Sequence, residues 1–225
     1  MSSLILMRHG QASFGAERYD TLSGAGLQQA DAVGRWLRER GQLLSDIWHG
    51  PRRRQADSAC AVVRAMSTTV QPCLAESLDE FGEGEDVLAA AAILFGRPMS
   101  GPDAPTRVEQ LRCYDQAMAA WSQGNLEIPG RADFRTFRRV VKAWLDQRVG
   151  DTAAPSGRCE LAVTSAGVIA VALCEVFDLP DERWISLVRV IYNASLTDLV
   201  FSGGRCGLRS FNGIGHLPTE LLSGI

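Results

Sequence analysis

Short apolar runs of strand length alternate with amphipathic stretches of helical period along this chain, and that alternation constrains the fold most. The first run, residues 4–7, reads Leu-Ile-Leu-Met without interruption, as expected of a strand buried on both faces. A helix is expected next, over 23–40. Ser23 can cap it, Leu27, Ala30, Val33 and Leu37 recur at helical spacing, and Gly41 ends it. A strand at 43–48, a helix at 54–66 and a strand at 70–74 continue the pattern.

From about residue 86 to residue 149 the periods become helical throughout, with breaks at 97–105 and 124–130. Stretches at 87–95, 108–121 and 134–149 predict a helical cap. Ala-Pro-Ser-Gly at 154–157 returns the chain to a strand at 161–164 and a helix at 168–177. Strands are expected at 188–191, 196–201 and 207–211, with Gly203-Gly204 as a hairpin signal between the last two. The result is an α/β layered sandwich with a mostly parallel sheet: one domain over 1–225, carrying the cap insertion at about 86–149. Catalytic groups in such folds collect beyond the carboxyl ends of the strands, so the residues after Met7, Trp48, Leu74 and Thr164 matter most.

Composition narrows the function. A net charge of -3 gives no bulk attraction to nucleic acid or to an anionic membrane, so an anionic substrate would have to be drawn in by a local arginine cluster. The six cysteines form no Cys-x-x-Cys pair, and none of the three histidines sits at zinc-ligand spacing from a cysteine. No metal site is offered. Several cysteines fall inside apolar runs, Cys174 among them, which reads as buried reduced thiols in a cytoplasmic protein. The apolar N-terminal run has no basic leader and is too short for a signal peptide or a membrane span.

The first strand is followed by Arg8-His9-Gly10-Gln11-Ala12-Ser13. A guanidinium there can grip two phosphate oxygens, and its charge keeps a neighbouring imidazole neutral and nucleophilic. Alone, the tripeptide would more often be a surface turn; its place after a buried strand gives it weight. With Leu22-Ser23-x-x-Gly26-x-x-Gln29-Ala30 it resembles the opening of the histidine phosphatase (phosphoglycerate mutase-like) superfamily. The stretch from Ile47 through Pro51 and Arg54 to Asp57-Ser58-Ala59 is similar to that family's Ser-Ser-Pro-x-x-Arg-x-x-Gln-Thr-Ala. Leu78-Asp79-Glu80 resembles its Leu-x-Glu, and 193–197 and 212–217 resemble its closing segments.

The resemblance implies a three-layer sandwich, a nucleophile at His9, a proton donor at Glu80, and phosphate binding by Arg8 and Arg54 without metal or cofactor. Gly10, Gln11, Ser13, His49 and Ala166 would be near the pocket. Arg52 and Arg53 would be solvated, since three adjacent side chains on a helix cannot all face one ligand. Glu76, Glu83 and Glu85 make the surroundings of Glu80 an acidic loop, whose bland reading is a solvated run.

Departures from the pattern carry as much information. Where the family has His-Gly after the strand at 161–164, this chain has Ser165-Ala166, so Ser165 could hydrogen-bond phosphate or simply cap the next helix. His49 stands at the first Ser of Ser-Ser-Pro, and Gly15 where mutases carry an asparagine. His216 is expected to pack near the C-terminus. The expected activity is hydrolysis of a small phosphorylated substrate through a phosphohistidine, slowed by Ser165, with inorganic phosphate also able to bind. A family member that binds without turnover and a mutase-type transfer are the alternatives, and a homodimer stays open.

Overall fold

Side chains of β1 (Ser2–Arg8) alternate between two separate cores: Leu4 and Leu6 point to one, Ile5 and Met7 to the other. That period of two makes the sheet a middle layer. The computed structural model describes residues 1–13, 20–151 and 155–224. After β1 come α1 (Gly24–Glu39), β2 (Asp46–His49), α2 (Arg53–Met66), β3 (Pro72–Leu74), α3 (Gly84–Phe95), α4 (Arg107–Ser122) and α5 (Phe134–Gly150). Then follow β4 (Cys159–Thr164), α6 (Ala166–Val176), α7 (Trp184–Val188), β5 (Leu196–Ser202) and β6 (Arg205–Gly213).

The sheet order is β3-β2-β4-β1-β5-β6. The first four strands run parallel, while β5 and β6 add an antiparallel hairpin through Gly203 and Gly204, both at positive φ. One face is covered by α1 and α2, the other by α6, α7 and residues of α3, α4 and α5. Ser23 caps α1 by accepting from the Gly26 amide, and Gly41 past its end has φ 63.

Two sequence expectations change. Residues 188–191 do not form a strand: Val188 closes α7, because Trp184, Ile185 and Val188 together bury one face of a short helix. The β-branched run Val188-Arg189-Val190-Ile191 imitated a strand, yet Val190 is 48% exposed while Ile191 is buried. The second strand starts later than expected, since Leu43 is exposed and lies before it. The cysteines also divide: Cys113, Cys159 and Cys174 are buried, but Cys60 and Cys73 are exposed. Burial pushes the Cys174 thiol up to about 11, so it stays protonated. No helix among the described residues is long and apolar enough to cross a membrane.

Glu160, in the middle of the sheet on β4, is 1% exposed and holds the helical cap's last helix to the strands. It accepts from Trp48 Nε1 at 2.9 Å and from Arg158 Nε at 2.7 Å, and Arg148 of α5 lies 3.9 Å away. Removing one partner of a buried pair leaves the other charge uncompensated. Glu160→Ala should therefore destabilise the fold by about 3 kcal/mol, measurable as a shift of the urea midpoint at unchanged slope.

Candidate active site

The carboxyl ends of β1, β2 and β4 and the segment after β3 converge on one cleft, as an open α/β sheet requires. His9 lies one residue beyond β1. Its amide donates to the Thr164 carbonyl at 2.8 Å, continuing the β1–β4 ladder, and Asn193 Nδ2 donates to its carbonyl at 3.3 Å. The His9 ring is buried. Nδ1 is 2.7 Å from the Gly10 carbonyl, which can only accept, so the ring proton sits on Nδ1. Nε2 then carries the lone pair, and Arg54 Nε donates to it at 3.2 Å. Burial first, then the charges of Arg54 and Arg8, hold the imidazole well below its ordinary pKa.

Gly10 and Gly26 explain each other. A Cβ on Gly10 would stand 2.3 Å from the Gly26 carbonyl oxygen, and one on Gly26 would stand 2.1 Å from the Gln11 carbonyl oxygen. The two backbones touch, so neither position has room for a side chain. Buried Gln29 completes the brace: Oε1 accepts from the Gln11 amide, and Nε2 donates to Leu221 O and Ser223 Oγ. Ser58 Oγ accepts from the Gly10 amide at 3.0 Å.

Arg54, 4% exposed on the first turn of α2, also pairs through Nη1 with Asp20 at 2.9 Å and Glu83 at 3.0 Å. Arg8 donates to the Ile191 carbonyl at 2.5 Å. Arg53 is exposed and pairs with Asp57, the solvated position expected of it. Arg52 is not solvated. Its side chain is 15% exposed and bridges Asp79 and Glu83, both at 2.5 Å. It precedes the helix as its N-cap residue, outside the helical spacing that the expectation assumed, and it shares Glu83 with Arg54.

Glu80 follows the turn after β3. Its Oε1 accepts from the Phe81 amide at 3.1 Å and its Oε2 from the Gly167 amide at 3.4 Å. Burial raises its pKa, which favours the protonated acid, while those amides and the arginines oppose the shift. A Cβ on Gly167 would stand 2.2 Å from Glu80 Oε1, so the acid is seated against bare backbone. Beneath it, Phe81 stacks on Trp121 with ring centroids 4.7 Å apart. Trp184 donates to the Gly167 carbonyl at 3.0 Å.

Arg8, His9, Gln11, Arg54, Glu80 and Ala166 all line one cavity of about 120 Å³. Four expected residues line none of its wall. Gly10 is sealed against Gly26. Ser13 donates to the Leu22 carbonyl. His49 turns Nδ1 to the Gly50 carbonyl at the end of β2. Ser165 is 1% exposed, and its hydroxyl accepts from Gln55 Nε2 at 2.9 Å instead of capping α6 or reaching the cleft. Gly15 lies outside the described residues. His216 packs as expected: Nε2 meets the Ala194 carbonyl and the ring lies 5.8 Å from that of Trp36. The cavity wall also holds Phe81, Glu83, Tyr114, Met118, Val188 and Asn193, which the sequence alone did not mark. Only Asn193 and Glu83 carried a signal, one in a closing motif and the other in the acidic run. No group of three or more metal-ligating side chains occurs among the described residues.

Solved structures of similar fold cover almost the whole chain. A mycobacterial glucosyl-3-phosphoglycerate phosphatase is 20% identical, with TM-score 0.66 over 94% of this chain and 98% of its own. A phosphoglycerate mutase from Bacillus anthracis is 18% identical, with TM-score 0.66 over 96% and 94%. A phosphoserine phosphatase mutant from Entamoeba histolytica, in complex with phosphoserine, is 19% identical, with TM-score 0.64 over 97% and 100%. At such identities the likeness establishes the fold. No curated protein matches the sequence. A family profile matches residues 4–91 and 102–213, spanning every strand of the sheet, and by that match the chain belongs to the histidine phosphatase superfamily (branch 1).

Proposed function

We propose that this protein is a phosphomonoester hydrolase working through a phosphohistidine on Nε2 of His9. The carrying observation is the setting of the His9 ring: Nδ1 is turned to the Gly10 carbonyl, Nε2 meets Arg54, and Arg8 and Arg54 line the same cavity as the ring. A neutral imidazole with a fixed lone pair is a nucleophile, and flanking guanidiniums suit an anionic electrophile. Phosphatases and a mutase among the proteins of similar fold support the same class of chemistry.

In the first step Arg54 Nε turns from Nε2 to a phosphoryl oxygen, the freed Nε2 attacks phosphorus in line, the N–P bond forms, and the P–O bond to the alcohol breaks. Arg8 and Arg54 neutralise the spreading oxygen charge. Glu80, kept protonated by burial, gives its proton to the leaving oxygen. In the second step the Glu80 carboxylate takes a proton from water, which attacks phosphorus and releases His9 and phosphate. The proton inventory closes over the cycle. Phosphate and small phosphorylated esters are the ligands this assigns to the cleft.

A second reading, binding with little turnover, is favoured by Ser165. We take it as the residue at the family's second histidine. Its hydroxyl is committed to Gln55, so that position supplies no positive charge to a bound phosphoryl group. Replacing a charge-assisted bond by none costs about 1–3 kcal/mol, or roughly ten- to a hundredfold in the chemical step.

His9→Ala should abolish turnover and acid-labile phosphate labelling, and near wild-type activity in that variant would rule the assignment out. Arg8→Ala and Arg54→Ala should each cost about 1.5–3 kcal/mol in kcat/KM, with Arg53→Ala nearly silent.

Glu80→Gln should slow butyl phosphate far more than p-nitrophenyl phosphate, whose leaving group needs little protonation. The pH profile has a definite sign. His9 lies below 6.5, so the nucleophile stays neutral through mildly acidic pH; Glu80 lies above 4.5, so the acid is lost as pH rises past its shifted value. Activity on butyl phosphate should fall on the alkaline side, and that limb should vanish in Glu80→Gln.

Restoring the second histidine needs room as well as chemistry. Gln55 is fully buried against Ser165, so Ser165→His alone should lower the melting temperature. Ser165→His with Gln55→Ala should raise turnover roughly tenfold or more. Flat turnover in a folded double variant would show that this pocket is built differently.

A further inference from the structure

We propose that Trp184 is a positioning residue of this site: its indole N–H, acting through Gly167, holds the Glu80 carboxyl in the orientation from which it protonates the leaving alcohol. This goes beyond the phosphomonoesterase reading, on which it rests. Trp184 opens α7 and is fully buried, and a buried indole N–H needs an acceptor. It finds one in the Gly167 carbonyl at 3.0 Å. Gly167 is the second residue of α6, where a backbone amide has no partner within the helix. That amide is the one that donates to Glu80 Oε2 at 3.4 Å. One residue is thus held at its carbonyl by the indole and holds the acid with its amide. The two bonds belong to neighbouring peptide groups, so a shift at the carbonyl turns the amide with it.

Packing leaves Gly167 no slack on the Glu80 side. A Cβ there would stand 2.2 Å from Glu80 Oε1 and 2.9 Å from the Phe81 ring. The ring of Trp184 meets that of Phe81 edge-on, with centroids 5.2 Å apart. Phe81 in turn gives its amide to Glu80 Oε1. Both backbone donors to the carboxyl therefore sit on residues that Trp184 touches. The charged groups around Glu80 are not altered by a substitution at 184: Arg8 and Arg54 across the cleft, Arg52 at its carbonyl, and Asp79 and Glu83 on its own segment.

The test is a double-mutant cycle read on butyl phosphate and p-nitrophenyl phosphate. Trp184→Phe keeps an aromatic ring and loses the N–H. It should lower kcat/KM for butyl phosphate about three- to tenfold and move that for p-nitrophenyl phosphate little. In a Glu80→Gln background it should cost nothing further. With the Gly167 amide loosened the carboxylate loses a donor, so the alkaline limb on butyl phosphate should move to higher pH. Trp121→Phe removes an indole of the same ring cluster whose N–H goes to Ala132, and it should leave the limb in place. Equal losses on both esters, the same loss in the Glu80→Gln background, or an unmoved limb would overturn the proposal. A tryptophan analogue with sulfur in place of the N–H, introduced at position 184, makes the same measurement if Trp184→Phe does not fold. If wild type turns over neither ester, the hydrolase reading fails, and carbon NMR titration of Glu80 in the unliganded protein decides the tie to Trp184. An upward shift in the variant supports it, and no shift overturns it.

Discussion

The bond between His9 Nδ1 and the Gly10 carbonyl, 2.7 Å long, decides which nitrogen of the neutral imidazole keeps its lone pair. It is made within one residue of chain, so its geometry is only as good as the backbone path through 8–11. Much of the fold is spent on that path. Thr164 of β4 anchors His9 from one side, Asn193 and the positive-φ turn at Ala194 from another, and Ser58 of α2 holds the next amide. The contact of Gly10 with Gly26 and the buried Gln29 fix where the chain goes after that. A loop with so many backbone anchors can keep a neutral, desolvated imidazole in one orientation, which a surface turn could not.

Glu80 is held by a different mechanism, and one residue connects it to the side of His9. Arg52 embraces Asp79 and Glu83 at the two ends of the segment that carries Glu80, while Asp79 accepts from the Glu80 amide at 2.7 Å. Glu83 then passes to Arg54, which touches His9. The chain of charges therefore ties the position of Glu80 to that of His9 through Arg54. It also keeps Arg54 in place when no anion is bound. Glu83 is thus a support shared by both arginines, placed on the cavity wall.

How much of this was legible in the sequence depends on whether local pattern or distant packing decides a residue's role. Period and punctuation located the strands and helices, because burial on two faces leaves a continuous apolar run and a capped helix leaves Ser at one end and Gly at the other. Arg8, His9, Arg54 and Glu80 were marked by ordered motifs, and they do meet in one cleft. Arg52 was misjudged because helical spacing says what cannot share a face, not what acids will arrive from the segment 79–83. Residues 188–191 were misjudged because a short β-branched run has the same composition in a strand and at the end of a buried helix. Tyr114, Met118 and Val188 carried no signal at all: each is an ordinary apolar helix residue until α4 and α7 are packed over β1.

Ser165 shows where sequence reasoning was right to pause and what packing adds. The hydroxyl could have served a ligand or a helix cap, and it serves neither. Gln55 takes it, with Nε2 shared between Ser165 Oγ and the Leu78 carbonyl and Oε1 accepting from the Arg52 amide. A fully buried amide needs all of these partners, since an unsatisfied one would cost more than the bond is worth. Ser165 is therefore tied to a polar side chain at 55, and through it to Arg52 and to the segment before Glu80. Thr164 Oγ1, donating to the same Leu78 carbonyl at 2.8 Å, adds a second tie from β4. Position 165 is thus tied to the mounting of Glu80 and takes no part in the cavity wall.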